Sequence, residues 1–399
     1  MKGFCNRREF LRHLSSGLSA LSLSSGFVQI ENLFKTAPAY AAEPLLKEVM
    51  FYKKLDDLRI ECEICPKGCK IADRERGYCG NKENRKGIYY SLVYAQACAV
   101  HNDPIEKKPL FHYLPGTTAL SIAAAGCNFE CKFCQNWQIA QFRPEQVDSY
   151  TLPPDQVVKM AKDQGSPTIA YTYSEPVVFY EYMHDTARLG RSQGIGSVMI
   201  SNGYIKEKPL VELCKHLTAV KVDLKAFTEK FYKETCSGEL KPVLETLERL
   251  KKIGIWYELV VLILPTLNDS EKEIGEMSRW ISEKLGGDVP VHFTRFHPMY
   301  KIKNLPPTPV STLERARKIA QDAGIHYVYV GNVPGHEGEH TYCPSCKKMV
   351  IKRTGFFILE NHVKGGKCSF CNYPIPGVWE KPPAIQPKKL TEFKRYGMS

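Results

Sequence analysis

The chain has 399 residues, is 43% hydrophobic and 25% charged, and carries a formal net charge of +12. That size and balance fit a globular chain with one large α/β domain plus appendages and exclude a disordered or fibrous one. The first 42 residues hold five basic and two acidic groups. No single Lys/Arg run explains the positive charge that remains, so it reads as a solvated basic surface and nucleic acid is not the expected partner.

At the N-terminus, Asn6-Arg7-Arg8-Glu9-Phe10-Leu11-Arg12 has the form of a twin-arginine export signal. A Ser/Leu-rich stretch runs on to Ile30, and Ala37–Ala39 and Ala39–Ala41 are small-residue cleavage sites. Ser and Gly interrupt the stretch too often for a stable membrane span. Residues 1–42 are set apart as a leader. The expected localisation is assembly in the cytoplasm, with export left open.

Eleven of the fifteen cysteines fall into three groups, at 62–79, 127–134 and 343–371, and such clustering in a large chain reads as metal binding before disulfides. Cys5, Cys98, Cys214 and Cys236 read as free structural thiols. Within an N-terminal Cys-rich segment, 43–118, Cys62, Cys65, Cys69 and Cys79 supply four thiolates at C-x2-C-x3-C-x9-C spacing. Four thiolates make a closed site, for zinc or an accessory iron–sulfur cluster. Cys98 or His101 are alternates for one of its ligands. Further on, Glu106-Lys107-Lys108 reads as a solvated turn and His112 as a hydrogen-bonded structural histidine.

From about residue 119, strand-like runs alternate with helix-period segments. The predicted strands are Leu120–Ala125, Thr168–Tyr173, Gly196–Ser201, Val220–Leu224, Tyr257–Leu264, Val291–Phe296 and His326–Val330. Between them lie predicted helices at 155–164, 177–193, 209–216, 243–253, 271–285 and 313–323. Ser270 with Glu273, and Ser311 with Glu314, fit capping boxes, while Gly254 and Gly324 fit helix stops. Six βα units and a last strand imply an α/β fold, a partial, open β/α barrel over residues 119–335. In such a barrel the chemistry sits at the carboxyl ends of the strands.

The third cysteine group directly follows the first of these strands. Cys127, Cys131 and Cys134, spaced C-x3-C-x2-C, offer three thiolates to a cube of four irons, which leaves one iron open for a cofactor or substrate. Three quarters of a zinc site is the competing reading. Side-chain parity adds a lining. Lys221, Asp223 and Lys225 share one face of their strand, Tyr171, Tyr173 and Glu175 share one face of the second, and Arg295 and His297 one face of the sixth. Charges on a strand covered on both sides imply a polar cavity.

Beyond the barrel, Cys343-x2-Cys346 and Cys368-x2-Cys371 enclose a hairpin-length segment with Ile351–Leu359 strand-like. This is the pattern of a zinc ribbon, with a structural zinc expected and an iron–sulfur cluster as the alternative. The ribbon-like module is placed at 336–379 and an irregular Pro/Lys-rich tail at 380–399.

With these residues in view, the chain resembles the radical S-adenosylmethionine (radical SAM) enzymes, in their pyruvate formate-lyase activating enzyme-like branch. The likeness covers roughly 119–332 and rests on Cys127/Cys131/Cys134 with Phe133, on Tyr171-Thr172-Tyr173-Ser174-Glu175-Pro176, on Ser201-Asn202-Gly203, on Asp223-Leu224-Lys225 and on Tyr329-Val330-Gly331-Asn332. Motifs at Cys62–Cys69, Cys98–His112, Pro290–Pro298 and Gly331–Gly335 extend it to the radical SAM member of the AmmeMemoRadiSam system.

The resemblance implies a [4Fe–4S] cluster on Cys127, Cys131 and Cys134 and a bound S-adenosylmethionine (SAM). By resemblance, Phe133 and Asn332 lie near the adenine, Ser174 and Glu175 belong to the motif that meets the amino group, and Asn202, Asp223 and Lys225 lie near the ribose and carboxylate. His297 is expected to line the same pocket. The implied partner is a one-electron reductant of flavodoxin or ferredoxin type. The implied activity is reductive SAM cleavage to a 5′-deoxyadenosyl radical that takes hydrogen from a substrate. That substrate is a protein or partner from the same gene cluster, or else a small molecule or lipid intermediate. A non-catalytic metal scaffold is the reading from another class.

Overall fold

The computed structural model describes residues 45–384, so the leader-like segment 1–42 and most of the 380–399 tail lie outside the described residues. The framework is an eight-stranded sheet: β1 (Ala99–Pro104), β2 (Thr118–Ala123), β3 (Thr168–Tyr171), β4 (Gly196–Ser201), β5 (Ala219–Asp223), β6 (Trp256–Ile263), β7 (Val291–Arg295) and β8 (Val328–Gly331). The strands lie side by side in chain order. β2 to β8 are all parallel, and β1 pairs antiparallel with β2 along the edge.

Six longer helices connect the parallel strands: α1 (Pro154–Asp163), α2 (Tyr180–Ser192), α3 (Glu207–Cys214), α4 (Leu240–Ile253), α5 (Glu271–Trp280) and α6 (Val310–Asp322). All seven predicted strands and all six predicted helices are present, with ends displaced by a few residues. Gly254, at φ +79°, ends α4. Ser270 caps α5 by accepting the Glu273 amide, but the Glu273 carboxylate accepts the Phe227 amide instead of closing the box. The box expected at Ser311 does not form. Pro309 is the N-cap of α6 and Ser311 lies inside the helix, because the ring of Pro309 already fixes the extended entry.

The two faces of the sheet bury different things. Val220, Val222 and Leu224 point under the helices into the main core. On the inner face, near the strand amino ends, Leu110, Tyr113 and Leu114 pack on Ala119, Ala170, Val198 and Ala219 as a plug. Glu258 sits there fully buried and accepts the Phe111 and His112 amides at 3.0 and 2.8 Å and His292 Nε2 at 2.8 Å. The boundary expected at residue 119 therefore runs through the sheet: 99–118 supplies its edge strand and its plug.

The C-terminal module is a three-stranded antiparallel sheet, β9 (Thr341–Tyr342), β10 (Met349–Thr354) and β11 (Phe357–Asn361). It is tied to the plug by Arg353, which is fully buried and donates to Thr341 Oγ1 at 2.7 Å and to the Phe111 carbonyl at 2.9 Å. Among the described residues no helix is long and apolar enough to cross a membrane.

Candidate active site

β2 ends at Ala123, and three residues later the chain enters the cysteine loop. Gly126 makes that entry with φ +98°, and the Asn81 carboxamide, which donates to the Ala125 carbonyl, occupies the space where a Cβ would stand. The loop is held by backbone bonds to the turn at 232–236: Glu130 N to Cys236 O at 2.9 Å and Lys132 N to Thr235 O at 3.0 Å. Asn128 fastens it to the β4 end, donating to the Tyr204 carbonyl at 3.0 Å and accepting from Asn202 Nδ2 at 2.8 Å. Cys127, Cys131 and Cys134 then face one cavity of ≈480 Å³ at the carboxyl ends of the strands, with Phe133 beside them. Burial pushes the Cys127 thiol well above its usual value and Cys134 up to about 11. The neighbouring buried Cys236 thiol holds the Cys131 thiol below its ordinary value.

A charged stretch of the same wall comes from β5. Lys221, Asp223 and Lys225 all line the cavity, as their parity predicts. Asp223 bridges both ammonium groups, with Lys225 Nζ at 2.9 Å. Burial alone would raise the Asp223 carboxyl, but the two lysines outweigh it and bring it to about 2. Ser174, Glu175, Asn202 and Asn332 also line the space. Glu175 is buried with its carboxylate already engaged: Oε1 accepts from Ser201 Oγ at 2.7 Å and the Val177 amide at 3.1 Å, and Oε2 the Asn202 amide at 2.8 Å. It thus fixes the β4 end as well as facing the cavity. Ser174 Oγ donates to the Ala124 carbonyl. Asn332, at φ +60°, turns its amide onto the Arg295 carbonyl.

Three expectations from parity need correction. β3 ends at Tyr171, and Tyr173 has φ +68°, so the alternation stops. Tyr171 faces the helices with its hydroxyl 3.3 Å from Ser197, while Tyr173 turns to the cavity. β7 ends at Arg295, whose guanidinium donates to the Thr308 carbonyl. His297, two residues past the strand, is exposed and off the cavity wall, and Thr294 lines it instead.

Glu106-Lys107-Lys108 is not a solvated turn either. Glu106 is buried and accepts the Gly116 amide. Lys108, 2% exposed, reaches Asp103 at 2.5 Å and Tyr173 OH at 3.3 Å on the cavity rim. Burial brings its ammonium down to about 8. His112 is structural as expected: it is buried and bonded through both ring nitrogens, to the Pro376 carbonyl and to Tyr329 OH, each at 2.7 Å.

The two four-cysteine sets differ. Cys343, Cys346, Cys368 and Cys371 bring their sulfurs within 4.8 Å of one another, with Cys343–Cys371 at 3.6 Å and Cys346–Cys368 at 3.8 Å. Cys62, Cys65, Cys69 and Cys79 line one small pocket together with Asn128 of the 127–134 loop and the buried Lys82. Their sulfurs do not draw together as those of the C-terminal set do. Cys98 and His101 lie off that pocket and take no place in it.

Residues 121–281 match the family model for the radical SAM superfamily. The uncharacterised protein MJ0808 of Methanocaldococcus jannaschii is 46% identical over 332 residues, spanning 83% of this chain and 99% of its own length. A GTP 3′,8-cyclase of Brucella canis is 25% identical over 58% of this chain and 73% of its own. The pyruvate formate-lyase-activating enzyme of Clostridium pasteurianum is 24% identical over 39% and 66%. Among solved structures, a radical SAM methyltransferase from Sphaerobacter thermophilus aligns at 15% identity over 57% of this chain and 71% of that one, with a TM-score of 0.43.

Proposed function

Because the chain belongs to the radical SAM superfamily, we propose that its strand-end cavity seats SAM against a [4Fe–4S] cluster on Cys127, Cys131 and Cys134 and presents a peptide or protein substrate to it. When bound, the pair supplies one-electron reductive cleavage of SAM to methionine and a 5′-deoxyadenosyl radical, with the electron from an outside reductant. The donor set fits. Three thiols converge on one cavity, its wall also carries two lysines and an aspartate, and Phe133 lines it beside the thiols. In this reading Lys221 and Lys225 face the carboxylate of SAM, Asn202 and Asp223 its ribose, and Asn332 its adenine. Glu175 holds the β4 end in register for that contact and faces the amino group. In this reading the sheet and the plug at its amino ends wall the reacting centre on those sides.

The convergence of the three thiols with the Lys221–Asp223–Lys225 wall on one cavity carries this proposal. The peptide or protein reading draws on the rim, where Phe356 lines the cavity and the neighbouring Phe357 is 70% exposed. Such an apolar lip beside a polar cavity fits a chain-like partner better than a small solute. The four motifs shared with the AmmeMemoRadiSam radical SAM member support that narrower placement. For the C-terminal set, sulfurs 3.6–3.8 Å apart suit a zinc tetrahedron. For Cys62, Cys65, Cys69 and Cys79, sulfurs that share a pocket without closing to that spacing suit an iron–sulfur cluster better than zinc.

The test is anaerobic reconstitution, reduction with dithionite and measurement of 5′-deoxyadenosine. The wild type is expected to form it with SAM, and Cys131→Ala to lose it. Equal yields from both would overturn the assignment. Deuterated candidate peptides and partner proteins then identify the hydrogen donor by label in 5′-deoxyadenosine.

A further inference from the structure

Away from the cavity, in the helical layer, two histidines face each other without hydrogen-bond partners for the nitrogens they present. His184 lies on α2, Glu212 on α3 and His216 two residues past the α3 end. Their ligand atoms all lie within 4.8 Å of one another, with His184 Nε2 3.8 Å from Glu212 Oε1. The histidines are 7% and 4% exposed, and both His184 Nε2 and His216 Nδ1 are buried and unbonded. A buried imidazole nitrogen left without a hydrogen-bond partner is destabilising, so two in one cluster call for a shared partner.

The second layer fixes which nitrogen is free. His184 Nδ1 is 3.1 Å from Asp185 Oδ1. Asp185 is in turn held by Tyr94 OH and by Lys47, each at 2.9 Å, so it stays ionised and accepts. The proton of His184 therefore sits on Nδ1 and the lone pair of Nε2 points at Glu212 and His216. A carboxylate behind a histidine whose other nitrogen faces a cluster of donors is the arrangement found around metal-bound imidazoles. Glu212 supplies the charge; its other oxygen accepts from Lys215 at 2.5 Å, and its side chain is 30% exposed, which leaves a way in for an ion.

We infer that His184 Nε2, His216 Nδ1 and a Glu212 oxygen bind a zinc ion, with water in the fourth position. Two imidazoles and a carboxylate match borderline divalent metals rather than magnesium or calcium. The ion clips α2 to α3. These two helices follow the loops that carry Glu175 and Asn202, so the clip supports the outer side of the cavity wall without touching the reactants.

The test uses the full chain with its clusters built, exposed to zinc chloride, desalted and analysed for metals. Wild type is expected to hold one zinc more per chain than His184→Gln or His216→Gln, with iron content and 5′-deoxyadenosine formation unchanged. Equal zinc in all three overturns the inference. Should the variants fail to fold, zinc X-ray absorption on the wild type decides. A shell mixing sulfur with nitrogen or oxygen neighbours is expected from the two sites together, and a shell of sulfur alone overturns it.

Discussion

Asp223 shows how much one side chain carries. It is the common acceptor for the buried Lys221 and the half-buried Lys225, both facing the cavity, so replacing it with Asn leaves two like charges side by side without a counter-charge. Removing one partner of a fully buried pair costs about 3–5 kcal/mol; the Asp223 side chain is 29% exposed, so Asp223→Asn is expected to lower the urea midpoint at pH 6 by only part of that. The pH dependence has a definite sign. The folded carboxyl is depressed to about 2 from an ordinary 3.8, so its contribution is present above about pH 4 and is lost as pH falls toward 2. The midpoint difference between wild type and variant should therefore shrink over that window. A constant difference would mean that Asp223 acts through packing and not through charge. SAM affinity should fall with the same substitution, because the lysines lose the geometry Asp223 imposes.

Among the elements, the cysteine loop is set by parts of the chain far from it. Asn81 fills the space behind Gly126, whose φ of +98° favours glycine. Gly126→Ala adds both backbone strain and a clash with the Asn81 amide, and is expected to abolish the SAM-sensitive electron paramagnetic resonance signal of the reactive cluster. Combining it with Asn81→Ala removes the clash but not the strain, so partial recovery is expected, and none would show that Asn81 is not the obstacle. None of this is visible in local sequence. What was legible there was periodic: Gly196–Ser201 reads as a strand because its apolar run has no competing signal, and Lys221, Asp223 and Lys225 keep their parity because they follow one regular strand. Legibility stopped where the backbone left the period, at Tyr173 with its positive φ and at His297 beyond the end of β7. It also stopped where burial comes from distant partners. β1 was missed because Ala99–Pro104 carries polar residues on a sheet edge. Lys108 reads as solvated until Asp103 and Tyr173 fold over it.

At the scale of the whole molecule, the chain holds three cysteine sets with two kinds of geometry, and that difference predicts its metal content. Thiolates about 2.3 Å from one zinc stand about 3.8 Å from each other, whereas those on the corners of an iron–sulfur cube stand much farther apart. Only the C-terminal set shows the short spacing. The 62–79 set shares its pocket with Asn128 of the reactive loop, and the fully buried Lys82 beside it offsets thiolate charge. A cluster there would lie next to the one proposed on Cys127, Cys131 and Cys134, since Cys79 and Cys127 line a common pocket. Reconstituted wild type is therefore expected to hold about eight irons per chain, and a variant with Cys127, Cys131 and Cys134 all changed to Ala about four. The irons that remain should give a reduced signal indifferent to SAM, and further loss of Cys65 and Cys69 should remove it. Zinc content should be the same in all of these proteins. If the triple variant holds no iron and gains no cluster signal, the 62–79 set is a zinc site and the chain has only one cluster, fed directly by its reductant.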